Sequence, residues 1–348
     1  MENIFGYDPV EYDVSGKCLR IIDQTLLPLK ESFVCIDNEE DLIDAIKTLK
    51  VRGAPAIGIA AAIGVAVVMD KYEAKDMISF QMEFQNVMKR VLKSRPTAVN
   101  LGNALQRLSG LLSESLSGNT TIPDLKKILL EEALKIKDED IDANISMAHN
   151  ALTLLRDGAT ILTYCNAGHL AVSRYGTALS PIYLAQQKGM RLKVYACETR
   201  PLLQGARLTT YELTKAGIDV TLVCDNMVAS LMACGKIDAV VTGCDRIALN
   251  GDTANKIGTL TLSVCAKHYG IPHYVIGPET TIDKECEDGS GIVIEQRPSY
   301  EVTTMWYKQR LAPENLSVFN PAFDVTPSHL IEAIITENGI YRYPYNFK

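Results

Sequence analysis

A chain of 348 residues, 47% hydrophobic and 22% charged, is long enough to bury a substantial core and to form two domains, or one with a large extension. Its net charge of −7 excludes the broad basic face that nucleic-acid binding needs, but leaves room for a few arginines and lysines around one small anion. Nine cysteines (Cys18, Cys35, Cys165, Cys197, Cys224, Cys234, Cys244, Cys265 and Cys286) form no CxxC pair, and the acidic start MENIFGYD has no signal-peptide pattern. Together these predict reduced thiols in a cytoplasmic protein.

The predicted elements begin with two strands, LRIIDQTLLP (19–28) and ESFVCI (31–36), separated by a proline turn. NEEDLIDAIKTL (38–49) opens on an Asn cap and carries apolar residues at helical spacing. Helices follow near 54–70, 74–93 and 99–116. The run Ala54 to Met69, rich in Ala and Gly, reads as a buried helix too short to span a bilayer. SESLSGNTTIPD (113–124) is a polar connection, and a charged helical stretch runs from about Pro123 to Leu155. Residues 1–122 are therefore expected to form a mostly helical N-terminal domain, and residues 123–348 a second, α/β domain.

In that second part, short apolar runs alternate with helical patterns. ATILTY (159–164) precedes a helix near 169–188, and RLKVYA (191–196) one near 204–216. DVTLVC (219–224) precedes one near 225–234, DAVVTG (238–243) one near 255–268, and PHYVIG (272–277) closes the series. Near-continuously apolar strands alternating with helices predict βαβ units in an open parallel sheet. Ligands of such sheets bind at the carboxyl ends of the strands.

Polar residues and glycines gather at those ends. CNAGH (165–169) follows the first strand, CETRPLLQGAR (197–207) the second and CDRIALNGDTANKIGT (244–259) the fourth. In the last, Thr253 is expected to cap a helix whose first turn holds Asn255 and Lys256. That turn is either a phosphate cradle or a capped helix with a solvated lysine. It is not a GxxxxGK[ST] loop, and no GxGxxG follows a strand. Arg52 in VRGAPAIG (51–58) and Arg95 in SRPTAVNL (94–101) each precede a Pro-initiated helix and add two further candidate anion contacts. Asp245, just past a buried strand, is either a partly desolvated acid or a structural partner of Arg246. Cys165 is either one more buried thiol or one activated at a strand-to-helix junction. No GxSxG elbow occurs, and the closest His pair, His268 and His273, spans a Gly-Ile-Pro turn unsuited to zinc.

In this order VRGAPAIG, SRPTAVNL, CNAG, ETRPLLQGARLT and GCDRIALNGDTANKIGT resemble the methylthioribose-1-phosphate isomerase family, over about Gly16 to Tyr343. That family is related to the regulatory subunits of translation initiation factor 2B. The resemblance implies a helical N-terminal domain with a small antiparallel sheet, a Rossmann-like C-terminal domain and a homodimer. It also implies isomerisation of a 5-substituted ribose 1-phosphate to the ribulose 1-phosphate. Carried over by position, Cys165 and Asp245 are the catalytic pair. Arg52, Gly53, Ala54, Arg95, Gln204, Asn255 and Lys256 are the substrate contacts. Tyr164 stands where many members have His, and Cys197 and Cys244 where Asp and Ala are frequent.

Because C1 carries phosphate, the ring cannot open through a free anomeric hydroxyl. A protonated Asp245 is expected to protonate the ring oxygen, and Cys165 either removes the C2 hydrogen as a proton or shapes a dry pocket for its direct shift as hydride. No step calls for a metal or an organic cofactor. The 5-methylthio and 5-deoxy sugars both remain as substrates. The alternatives are a non-catalytic regulatory protein of the initiation-factor kind and a ribose-1,5-bisphosphate isomerase. Neither nucleic acid nor a membrane is expected as a partner.

Overall fold

A computed structural model describes residues 1–95, 99–115 and 120–347. The chain divides into two compact units, one of Glu2–Ile145 with Gly168–Gly176, the other of Met1, Ser146–Ala167 and Thr177–Lys348. The division falls inside a long helix, downstream of the 122/123 boundary expected from the polar connection.

The first unit opens with strands β1 (Val10–Asp13), β2 (Cys18–Ile22) and β3 (Phe33–Ile36), a small antiparallel sheet in that order. Helices α1 (Glu39–Lys47), α2 (Ala54–Lys71), α3 (Met77–Leu92), α4 (Val99–Ser115) and α5 (Ile122–Leu152) follow. Asn38 caps α1 as predicted, its side chain accepting the Asp41 N–H at 2.9 Å. α2 is apolar on every face and, with its own Ile57 and Ile63, forms the centre of this unit's core, with Phe80, Phe84, Leu101 and Leu108 around it. At 18 residues it is long and apolar enough to cross a membrane by length and composition, which corrects the expectation that it is too short. Here 72% of it is buried within the protein.

Expectations for this unit need two further corrections. The strand expected over 19–28 ends at Ile22, where Asp23 turns the chain by accepting the Thr25 N–H and hydroxyl at 2.9 and 2.6 Å. Cys18 and Cys35 are joined in a disulfide across β2 and β3, with Cα atoms 5.7 Å apart. These two thiols are therefore oxidised rather than reduced. Strand pairing brings them together, and nothing in their spacing announces it.

The second unit contains β4 (Thr160–Thr163), α6 (Ser180–Gln187), β5 (Lys193–Cys197), α7 (Thr210–Lys215), β6 (Asp219–Val223), α8 (Val228–Ala233) and β7 (Ala239–Thr242). β8 (Arg246–Ala248), β9 (Thr253–Lys256), α9 (Thr259–His268), β10 (His273–Ile276) and β11 (Ile282–Asp283) come next. The chain closes with α10 (Tyr300–Thr303), β12 (Phe323–Thr326), β13 (Ala333–Thr336) and β14 (Gly339–Arg342).

Seven strands form one sheet in the order β14-β13-β10-β7-β4-β5-β6, parallel except for β14. Counted along the chain, the parallel strands run third, second, first, fourth, fifth, sixth. This is the doubly wound order, and its direction reverses between β4 and β7. The predicted parallel sheet is present, but PHYVIG does not close it. AIIT (333–336) adds a parallel strand beside β10, too short a run to stand out. A second, four-stranded sheet has the order β11-β8-β9-β12.

Two predicted helices are rearranged. The helix expected over 169–188 begins only at Ser180, with Pro181 in its first turn. Residues 168–176 join the first unit instead, where Arg174 forms a bidentate pair with Asp8 at 2.6 and 2.7 Å. Nor do Asn255 and Lys256 lie in the first turn of a helix. They end β9, which pairs antiparallel with β12, and α9 starts at Thr259 after Gly258 turns the chain at φ +106°. Its cap is the Asp324 carboxylate, which accepts the N–H groups of Gly258 at 2.7 Å and Leu260 at 3.1 Å.

Candidate active site

The strand order reverses between β4 and β7, and sheets of this kind hold their ligands at the carboxyl edge beside such a switch point. Cys165 lies two residues past the end of β4 and Asp245 three past the end of β7, and these strands are hydrogen-bonded neighbours. The two residues expected to do chemistry therefore stand on either side of the switch point.

Cys165 is 8% exposed and holds a left-handed backbone, φ +62°. Its N–H donates to Thr199 Oγ1 at 2.9 Å, and its carbonyl accepts from Thr209 Oγ1 at 2.6 Å. The next residue, Asn166, donates through Nδ2 to Glu212 Oε1 at 2.8 Å, and Tyr183 donates its hydroxyl to the other oxygen of that buried carboxylate at 2.8 Å. None of these partners was picked out from the sequence. The only local sign was a Thr and a Glu within an otherwise ordinary helical run.

Asp245 is half-buried, and its N–H donates to the Ala254 carbonyl at 2.9 Å. This bond brings the Asp245 loop against β9, which carries Asn255 and Lys256. Arg246, the structural partner considered for Asp245, forms an ion pair with Asp283 at 3.3 Å. Burial first, and the Asp245 charge second, push the neighbouring Cys244 thiol well above its usual range.

Lys256 is 7% exposed, its ammonium 4.9 Å from the centre of the Phe323 ring. Such a buried cation favours an anionic ligand. Asn255 donates through Nδ2 to Thr259 Oγ1 at 3.1 Å. Asp324 lies opposite Asn255 in the β9–β12 ladder, and burial pushes its carboxyl up despite the Gly258 and Leu260 N–H groups and the Lys256 charge. Gln204, between β5 and α7, is 5% exposed, and its side-chain oxygen is a buried acceptor with no donor among the described residues. That oxygen suits a ligand hydroxyl.

Cys165, Gln204, Asp245, Asn255 and Lys256 thus belong to one unit, Cys165, Gln204 and Asp245 following strands of the seven-stranded sheet and Asn255 and Lys256 ending β9, whose Ala254 binds the Asp245 N–H. The remaining candidates belong to the other unit. Arg52 is half-buried just before α2, and Gly53 has φ +92° with the Ala171 carbonyl 2.3 Å from where a Cβ would sit. Ala54 and Pro55 form the first turn of α2, whose leading N–H groups have no partner in the helix. Arg95 is half-buried. The Pro-initiated start expected just after it falls on 96–98, outside the described residues.

Residues 50–343 match the initiation factor 2 subunit family. The chain belongs to that family. Among its members, the methylthioribose-1-phosphate isomerase of Parabacteroides distasonis is 54% identical over 92% of this chain and 95% of its own length. The 5-deoxyribose 1-phosphate isomerase of Petrotoga mobilis is 52% identical over 97% and 96%. Of solved structures, the 5-methylthioribose 1-phosphate isomerase of Pyrococcus horikoshii superposes with a TM-score of 0.91 at 40% identity, covering 98% of this chain and 94% of that one. A solved structure with an initiation-factor title is also similar in fold. A structure titled translation initiation factor eIF-2B, subunit delta, from A. fulgidus gives a TM-score of 0.86 at 42% identity, covering 98% and 97%.

Proposed function

We propose that this chain is an aldose–ketose isomerase that converts 5-methylthioribose 1-phosphate to 5-methylthioribulose 1-phosphate, and that it also accepts the 5-deoxy sugar. The observation that carries this reading is the placement of Cys165 and Asp245 just past the carboxyl ends of two adjacent strands at the switch point, in a unit that also holds a buried lysine and an unsatisfied glutamine oxygen. A sugar phosphate matches that donor set. Its phosphate suits Lys256, and its hydroxyls suit Gln204 and Asn255.

In this reading Asp245 supplies the proton to the ring oxygen, which frees C1 from the locked ring. Holding the phosphate orients C1 and C2 against the Cys165 thiol, so that part of the barrier is met by positioning. The C2 hydrogen then reaches C1 either through Cys165 as a proton or directly as hydride. Turnover in heavy water separates the two: deuterium at C1 of the product supports the thiol as base, and its absence supports the direct shift. Cys165→Ser and Asp245→Asn each abolish turnover while leaving the fold intact, as judged by circular dichroism. Near-parental rates in either variant remove its assigned role.

The chain is further read as a cytoplasmic homodimer, with solution mass by light scattering as the check. The likeness to an initiation-factor subunit sustains a second reading, a non-catalytic regulator. Absence of turnover with the 5-methylthio, 5-deoxy and 5-phospho sugars alike would favour it.

A further inference from the structure

We propose that Thr199 and Thr209 are positioning residues for Cys165, each gripping one of its peptide groups so that the thiol points one way only. The proposal rests on the reading of Cys165 as catalytic.

Cys165 needs such a grip. A non-glycine residue at φ +62° occupies a sparsely populated conformation, which persists only where its surroundings over-determine it. Here both of its backbone groups are taken by hydroxyls of residues that are themselves fully buried, Thr199 and Thr209 at 0% exposure. A cysteine sulfur is one torsion from the backbone, so fixing the peptides narrows where the sulfur can go.

Each hydroxyl is oriented in turn. Thr199 donates its hydrogen to the Cys197 carbonyl at 3.1 Å, which leaves a lone pair for the Cys165 N–H. Thr199 is itself left-handed, φ +67°, and Asp225 pins it by accepting the Thr199 N–H at 2.8 Å and the Arg200 N–H at 2.7 Å. Thr209 accepts from Asn166 Nδ2 at 3.3 Å, which directs its hydrogen to the Cys165 carbonyl.

Thr209 reaches that carbonyl because residues Gly205–Thr209 form a wide π-helical turn that packs directly on the end of β5. A Cβ at Gly205 would lie 1.7 Å from the Cys197 carbonyl oxygen, so no larger residue permits this approach. π-Helical turns recur at functional sites because they re-aim a side chain.

The test replaces each hydroxyl by an isosteric methyl, Thr199→Val and Thr209→Val, and assays turnover of 5-methylthioribose 1-phosphate. Each substitution is expected to lower kcat by about 30- to 100-fold, the order associated with misplacing a catalytic group by about 1 Å. KM should stay within about threefold, because these threonines are proposed to act on the thiol and not on binding. Thr199→Ser and Thr209→Ser, which keep the hydroxyl, should recover most of the lost kcat. Alkylation of Cys165 by iodoacetamide, followed by peptide mass spectrometry across pH, should change its profile in the Val variants, while that of the exposed Cys224 does not.

Unchanged kcat in both Val variants, or a loss that appears in KM alone, overturns the proposal, as does an unaltered Cys165 alkylation profile. Should a Val variant fail to fold, Asp225→Asn tests the Thr199 arm from outside, with the same fall in kcat expected and unchanged kcat overturning that arm. Cys165→Ser serves as the control. If it stays active, the catalytic reading of the thiol fails and the proposal falls with it. If it is dead while both Val variants match the parent, only the positioning role fails.

Discussion

The phenol oxygen of Tyr164 fills the space that a side chain at residue 258 would need: a Cβ built on Gly258 falls 2.1 Å from it. Gly258 also turns the chain at φ +106°, between the strand that carries Asn255 and Lys256 and the start of α9. Steric contact and backbone conformation thus exclude any other residue, and Gly258→Ala is expected to lower stability by about 2 kcal/mol or more. Urea unfolding checks this, and a midpoint equal to the parent's would show that the turn relaxes freely.

Lys256 sits 7% exposed beside Phe323 and near the Asp324 carboxyl. If it holds the substrate phosphate, Lys256→Ala removes a charge-assisted contact and raises KM by about tenfold or more. Initial-rate kinetics decide the matter, and an unchanged KM would assign the lysine to the protein's own packing.

Asp8, 4% exposed, binds Arg174 through two hydrogen bonds and Lys137 at 2.7 Å. Burial alone would push its carboxyl up, but Arg174 and Lys137 outweigh burial and hold it below the usual range. Asp8→Asn leaves two cations facing a neutral group and is expected to cost about 3 kcal/mol. Because the folded carboxyl is the stronger acid, the parent's advantage over the variant is full above the ordinary Asp range and shrinks as pH falls through it. Melting temperatures of parent and variant should therefore converge in acid.

His273 lies wholly inside the second unit, between Thr242 Oγ1 and Ser263 Oγ at 2.9 Å each, and burial pushes its pKa from 6.5 down to about 3. Above the unfolded value the ring is neutral in both states and contributes no pH dependence. Below it, the unfolded chain takes up a proton that the folded protein refuses. Stability then falls by up to about 1.4 kcal/mol per pH unit until the folded pKa is reached. His273→Gln should therefore lose stability less steeply than the parent between about pH 6.5 and pH 4. Parallel slopes would mean that the ring titrates normally within the fold.

What was legible in the sequence was whatever depends on near neighbours along the chain. The Asn38 cap of α1, the uniformly apolar α2 and the alternation of oily strands with helices each declare themselves within a few residues. From that alternation came the parallel sheet and the carboxyl edge as the place to look, and Cys165 and Asp245 do stand there. Where an element depends on a distant partner, local reading failed. TANK (253–256) reads as the start of a helix but pairs with 323–326 as a strand, and α9 takes its cap from Asp324. Residues 168–176 read as helix but follow the Asp8 carboxylate into the other unit.

The sequence alone therefore determined the class of fold and the residue types available for chemistry, because hydrophobic periodicity and turn residues act over a few positions. The tertiary structure decided which of those residues meet and in what conformation. The left-handed turn at Cys165, the hydroxyls of Thr199 and Thr209 upon it and the disulfide between Cys18 and Cys35 all join residues that only folding makes neighbours. Hydrogen bonds and buried charges are selected by three-dimensional proximity and by the cost of leaving polar groups unpaired, and neither can be read from spacing along the chain.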